Sequence, residues 1–265
     1  VDLGFADARV VVTGGASNIG RGIVHKFAAE GARIVLNDID EAQAAKVRDE
    51  ALDLGASAVE VAIADLTSPG AADAVVGTAL GCWGGVDVLV NNAGWSVPGF
   101  VATDTDRAKW QRTIEVNFFS AVAATQAAIA PMKEAGVGSL VFIASDAAFG
   151  QIRQGVYGAS KAAMVAFART TAKEHGRHGI RSNIVCPGLV MPDGPDAVGA
   201  TSLWAVGEDE VFNPKQIDFM LKDTPTRQLT TAQDVARAVL WFASPVAARQ
   251  VTGQMISVSG GYTMP

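Results

Sequence analysis

Histidine and cysteine are scarce in this sequence: three of one and two of the other in 265 residues. Cys82 and Cys186 stand far apart, which suggests free thiols in a reducing, cytoplasmic setting rather than a disulfide framework. His175 and His178 are neighbours, but no acid or thiol is spaced to complete a metal site with them, so no metal is expected. Positive charge is in deficit: a net charge of -6 argues against nucleic acid and against an anionic membrane as partners. There is no run of ~18 apolar residues and no basic-then-apolar N-terminus, so neither a membrane span nor a signal peptide is expected. Internal repeats and low-complexity linkers are also missing. What remains is 49% hydrophobic and 18% charged, the make-up of a packed α/β protein, expected to form one domain over residues 1–265.

Apolar β-branched runs alternate with helical periodicity along the chain. Strands are expected at 8–13, 32–38, 58–63, 86–90, 139–144, 181–185 and 254–258. Helices are expected between them, at about 19–31, 41–54, 69–80, 106–116, 118–133, from Tyr157 toward Gly179, and at 232–243. The pair at 106–116 and 118–133 reads as continuous. Near-unbroken apolar strands of this kind belong to a parallel sheet covered on both faces, the doubly wound Rossmann architecture with about seven strands. One stretch, 187–230, is irregular apart from a short apolar piece at 217–221. It follows a strand's C-terminal end, where such sheets bind ligands, so 193–222 is expected to form a substrate lid.

Thr13-Gly14-Gly15-Ala16-Ser17-Asn18-Ile19-Gly20 lies between a strand and a helix. Glycines there let the backbone approach a pyrophosphate, and the helix N-terminus supplies N–H groups and positive dipole. Asp38 closes the next strand, where a carboxylate accepts hydrogen bonds from an adenosine ribose and repels a 2′-phosphate. That favours NAD over NADP; Arg21 is the nearest cation and could as easily face solvent. Tyr157 and Lys161 fall on one helix face. A neighbouring ammonium favours the phenolate, making the tyrosine a proton acceptor for an alcohol or a donor to a ketone. By itself the pair is more often a ring covering a lysine stem.

Taken together, the glycine turn, Asn91-Asn92-Ala93-Gly94, Asn117, Ser145, Tyr157-x-x-x-Lys161 and Pro187-Gly188 resemble, in order and spacing, the short-chain dehydrogenase/reductase family. The resemblance covers essentially the whole chain. Asn91 to Trp95, Ile143 to Ala148, Val185 to Gly188 and Ser257 to Gly261 further resemble the branch acting on alicyclic hydroxy acids and hydroxyacyl-CoA compounds, such as 2-hydroxycyclohexanecarboxyl-CoA dehydrogenase. The family implies Tyr157 as acid/base, Lys161 lowering its pKa and holding the nicotinamide ribose, and Ser145 bonding the reacting oxygen. Asn117 would position a water beside Lys161. Gly14, Ser17, Asn18, Ile19, Gly20, Asp38, Asp65, Leu66, Asn91, Ala93, Gly94, Pro187, Gly188 and Val190 would hold NAD. For Asp65, a helix N-cap is the competing role.

Three departures from the family stand out. Asn18 replaces a usual glycine, tolerable because asparagine accepts left-handed backbone. Pro192 stands where a threonine commonly bonds the nicotinamide amide, which leaves Val190's backbone as the expected anchor. Ser259 replaces a common aspartate. The expected activity is NAD-dependent interconversion of a secondary, cyclic or aromatic alcohol and its ketone. The site would be roofed by Trp95, Val97, Phe149 and the lid, with Arg153 beside it to hold an anionic group or to face solvent. A catalytically silent NAD-binding sensor has no need of the Asn117, Ser145, Tyr157, Lys161 set. A nucleotide-sugar epimerase of the extended family would need a substantial substrate domain after it. The family further implies a homotetramer.

Overall fold

The computed structural model describes residues 2–206 and 214–264. Seven strands form one parallel sheet in the order β3-β2-β1-β4-β5-β6-β7. They are β1 Arg9–Thr13, β2 Arg33–Asp38, β3 Ala58–Ile63, β4 Val88–Asn91, β5 Gly138–Ile143, β6 Ile180–Pro187 and β7 Met255–Val258. The central strands are buried on both faces because every side chain meets a helix. Along β1, Val10 and Val12 enter one core and Val11 the other.

The first face is covered by α1 (Asn18–Ala29), α2 (Glu41–Asp53) and α8 (Ala232–Ala243). They contribute Ile23, Val24 and Phe27, then Ala44 and Val47, then Val235, Val239 and Phe242. The second face is covered by α3 (Ala71–Trp83), α5 (Ser120–Ala135) and α6 (Gly155–His175). Val75, Val76, Ala124, Ala128, Met132, Met164 and Ala168 fill it. Starts are set by side chains: Asp40 accepts from Gln43 N at 3.0 Å, and Thr231 and Asp234 form a reciprocal capping box over α8.

The helices expected at 106–116 and 118–133 run on as one, joined in an unanticipated way. Between α4 (Arg107–Ile114) and α5 lies a π-helical turn, Glu115–Phe119, which buries Asn117 completely. Such inserts recur at functional sites because they redirect one side chain. The strand expected from residue 86 starts at Val88; just before it, Asp87 Oδ2 accepts from Arg9 N at 2.8 Å and from Arg9 Nε at 2.9 Å. The apolar piece at 217–221 lies in α7 (Pro214–Asp223), whereas 207–213 of the expected lid fall outside the described residues.

Candidate active site

The C-terminal ends of β1 and β4 part where the strand order reverses, the crevice in which doubly wound sheets take ligands. A cavity of about 500 Å³ opens there. Its wall runs from Asp38, Asp65 and Leu66, past Gly14, Ser17, Asn18, Ile19, Gly20, Ala93 and Gly94, to Ser145, Tyr157, Lys161, Pro187 and Gly188. Most of the residues the sequence singled out are thus brought to one surface.

At the glycine turn the backbone approaches so closely that side chains are excluded. Gly14 has φ 59°, and a Cβ on it would stand 2.9 Å from Ala93 Cα; one on Gly20 would strike the Gly14 carbonyl and come within 2.7 Å of Asn92 Nδ2. Asn92 fastens the turn by donating to Thr13 O at 3.0 Å and Gly14 O at 2.8 Å. Asn18 does take the left-handed conformation, at φ 41°, and its Nδ2 donates to Val190 O at 3.1 Å. Ser17, at the N-cap of α1, makes no capping bond, which leaves the first N–H groups of the helix open to an anion. A cradle without Cβ atoms beside an uncapped helix start fits a dinucleotide pyrophosphate.

Asp38 Oδ2 accepts from Ala16 N at 3.0 Å, and Oδ1 from Ile39 N at 2.8 Å and Asp40 N at 3.1 Å. Arg21 is committed elsewhere: Glu50 holds its Nε at 2.8 Å and its terminal nitrogen at 2.9 Å. Asp65 is no helix N-cap, since Gly70 occupies that position of α3. Its Oδ1 accepts from Thr67 N at 2.9 Å and Thr67 Oγ1 at 2.7 Å, and these bonds, the backbone one foremost, hold its pKa below the usual range.

At the other end, α6 puts Tyr157 and Lys161 on one face, with the Lys161 ammonium 5.7 Å from the tyrosine ring centroid. Lys161 is 2% exposed, and its Nζ donates to Ile143 O at 2.9 Å. Burial pulls its pKa down to about 8. Lys161 is not among the groups that shift the tyrosine in the free protein. Burial pushes the phenol up, and the group opposing it is the Ser145 side chain, acting as hydrogen-bond partner. The lysine's charge lies over the ring and toward a backbone carbonyl, not on the phenolic oxygen. Asn117 spends both ends of its side chain on Trp95, accepting from its N at 2.8 Å and donating to its O at 2.7 Å. A Cβ on Gly94 would lie 3.0 Å from Asn117 Oδ1 and 3.4 Å from Lys161 Nζ, so glycine is what lets these groups share the space.

Some expected residues are elsewhere. The Asn91 side chain is turned into the sheet's second face, where Nδ2 donates to Thr125 Oγ1 at 3.1 Å. Val190 lies off the wall with its carbonyl already taken by Asn18, so as an anchor it has only its N–H to offer. Of the expected roof, Trp95 lines the cavity, with the Arg112 guanidinium 5.6 Å from its ring centroid. Val97, Phe149 and Arg153 are not on its wall. They are exposed; Gly99 pairs with Gln154 in a parallel bridge, and Arg153, at φ 66°, lies over Phe100. The first part of the expected lid rests over the other end of the cavity. Gly199 N donates to Ser17 Oγ at 3.0 Å, Ala200 N to Asp40 Oδ2 at 2.8 Å, and Lys46 Nζ to Asp196 O at 3.1 Å. Thr201, Ser202 and Trp204 then return to the cavity wall. Arg112, Thr201 and Ser202 were not singled out individually from sequence, although the lid that carries the last two was expected to roof the site.

A parallel sheet of this order, with this wall at its switch point, defines a nucleotide-binding α/β oxidoreductase, and the chain belongs to the short-chain dehydrogenase/reductase family. Residues 14–263 match the family described as enoyl-(acyl carrier protein) reductase. The chain is 35% identical over 264 residues to the (2S)-[(R)-hydroxy(phenyl)methyl]succinyl-CoA dehydrogenase subunit BbsD of Thauera aromatica, covering 99% of each. It is 33% identical to cis-4-hydroxycyclohexanecarboxylate dehydrogenase of Sinomonas cyclohexanicum, covering 98% of each. A solved 7α-hydroxysteroid dehydrogenase in complex with NADH and 7-oxo glycochenodeoxycholic acid superposes with a TM-score of 0.88 at 34% identity, over 98% of this chain and 96% of that one. The protein is a short-chain alcohol dehydrogenase acting on secondary alcohols.

Proposed function

We propose that it oxidises a cyclic or aromatic secondary alcohol with NAD, with Tyr157 as the acid/base. One observation carries this reading: Ser145, Tyr157 and Lys161 share one end of a cavity whose other end is closed by Asp38. NAD, when bound, supplies the hydride acceptor. The residues of the chain do the rest. Tyr157 exchanges the proton of the alcohol oxygen, and Ser145 steadies charge on that oxygen. Lys161, cationic below about pH 8, makes the phenolate less costly as it forms. With its side chain committed to Trp95, Asn117 would hold a relay water by its carbonyl, which the π turn can free. A ring substrate is supported by the relatives named for phenyl, cyclohexane and steroid compounds and by the exposed apolar side chains Val97, Phe100, Phe149 and Ile152 on the loops paired through Gly99 and Gln154.

A homotetramer is part of the same reading. Exposed Trp241 on α8, Ile256 on the edge strand β7, and Phe119 at the start of α5 offer apolar surface for two interfaces. The test is NADH formation from a panel of cyclic and aromatic secondary alcohols, by wild type and Tyr157→Phe. Turnover should fall by ~10²-fold or more in the variant, with NADH still bound. A variant retaining a tenth of the activity would remove Tyr157 from the role.

A further inference from the structure

Asp146 follows Ser145 directly, yet it does not line the cavity and is 2% exposed. Its Oδ1 accepts from Ser257 Oγ at 3.0 Å, and Ser257 in turn pairs with Ser259 at 2.8 Å. Among the described residues, its buried Oδ2 meets no hydrogen-bond partner. That oxygen is directed at Gly188, where a Cβ would lie 3.6 Å away, and Gly188 lines the reacting end of the cavity. Among the described residues, the groups that bond the carboxyl are uncharged hydroxyls. From β7 and the tail come the hydroxyls of Ser257, Ser259 and Thr263. From β6 comes the Cys186 thiol, pushed up to about 12 by burial and then by Asp146 itself. On α6, the Lys161 ammonium is engaged by Ile143 O. Burial raises Asp146 to about 6 against the pull of the hydroxyls, so at neutral pH it is largely a carboxylate. A buried charge without a counter-charge is costly to keep unless something else compensates it.

We propose that Asp146 supplies a negative charge behind the Pro187–Gly188 turn that favours the oxidised, positively charged nicotinamide ring over the reduced, neutral one. The charge would thereby bias the enzyme toward alcohol oxidation. This rests on the reading of the cavity as an NAD site. The oxidised ring is the missing counter-charge, and the reduced ring is not. Ser259 matters here because an uncharged hydroxyl leaves the carboxylate without a like-charged neighbour. Linkage sets the direction: oxidised NAD should lower the pKa of Asp146 and release protons on binding near pH 6, and NADH should not.

The experiment measures dissociation constants of NAD⁺ and NADH by calorimetry for wild type and Asp146→Asn between pH 5 and 7, below the titration of Lys161. Asparagine keeps the shape and an acceptor for Ser257. At pH 7 the ratio Kd(NAD⁺)/Kd(NADH) should rise roughly tenfold in the variant, the size expected for unit charges about 12 Å apart at an effective dielectric near 20. In wild type the ratio should rise the same way as pH falls through 6, and in Asp146→Asn it should stay flat. If the variant fails to fold, the wild-type pH series decides. A ratio within twofold of wild type at pH 7, or a wild-type ratio that ignores pH, overturns the proposal while leaving the cofactor reading intact. Absence of saturable binding of either form to wild type overturns both.

Discussion

Replacing Asp38 with asparagine should change cofactor choice more than stability. In the folded chain the carboxylate serves three backbone N–H groups, those of Ala16, Ile39 and Asp40. The amide of Asp38→Asn would keep one oxygen for the Ala16 N–H, which ties β2 to the glycine turn, and would lose the charge. A ribose 2′-phosphate set about 5 Å from the native carboxylate would repel it by about 2–5 kcal/mol, for a phosphate charge near −1.5 and an effective dielectric of about 20–40. Asp38 is half-buried, so solvent screening favours the low end. No compensation comes from Arg21, which Glu50 holds through both oxygens. Removing the charge should therefore raise kcat/KM for NADP relative to NAD by roughly 30- to 100-fold. Part of that shift is a several-fold loss for NAD, since a charge-assisted ribose bond becomes a neutral one. The assay is initial rates with both cofactors on one alcohol. A ratio that moves less than threefold, or a wild type that already uses NADP as well as NAD, would refute the placement of Asp38 on the ribose.

Two further outcomes follow from the site and the surface. Because burial raises Tyr157 and the phenolate is the form that takes the proton, kcat/KM for alcohol oxidation should climb as pH rises above 7. The climb should flatten once Lys161, at about 8, loses the charge that favours the phenolate; a profile level from pH 7 to 10 would rule out the assignment. Light scattering at micromolar concentration should give four times the 27.4 kDa chain mass, and a monomer there would dismiss the tetramer.

The strands were legible because burial on both faces leaves an unmistakable pattern: Val10, Val11 and Val12 are all apolar, whichever core each enters. The same both-sided burial hid which way Asn91 faces. In the run Asn91-Asn92-Ala93 neighbouring side chains leave the strand on opposite sides, so Asn91 meets Thr125 and Asn92 the glycine turn. Loop residues were harder still. Arg153 was singled out for its charge, but its backbone conformation and the Gly99–Gln154 bridge set it over Phe100, and no pattern in the intervening residues encodes that pairing. The lid's contact with Ser17 and Asp40 joins segments more than 150 positions apart, which periodicity cannot see.

The Tyr157–Lys161 pair shows why a shared helix face does not settle the electrostatics. Spacing of four along a helix guarantees that Tyr157 and Lys161 share a face, and they do. It does not say how much water remains around them, and desolvation acts oppositely on the two groups: it raises a phenol and lowers an ammonium. Here desolvation is the largest cause of both shifts, leaving Tyr157 raised and Lys161 at about 8. Both shifts favour the neutral forms in the free protein. On the role proposed for Tyr157, bound ligands would have to complete the proton-accepting state by adding a charge or a hydroxyl beside the phenol.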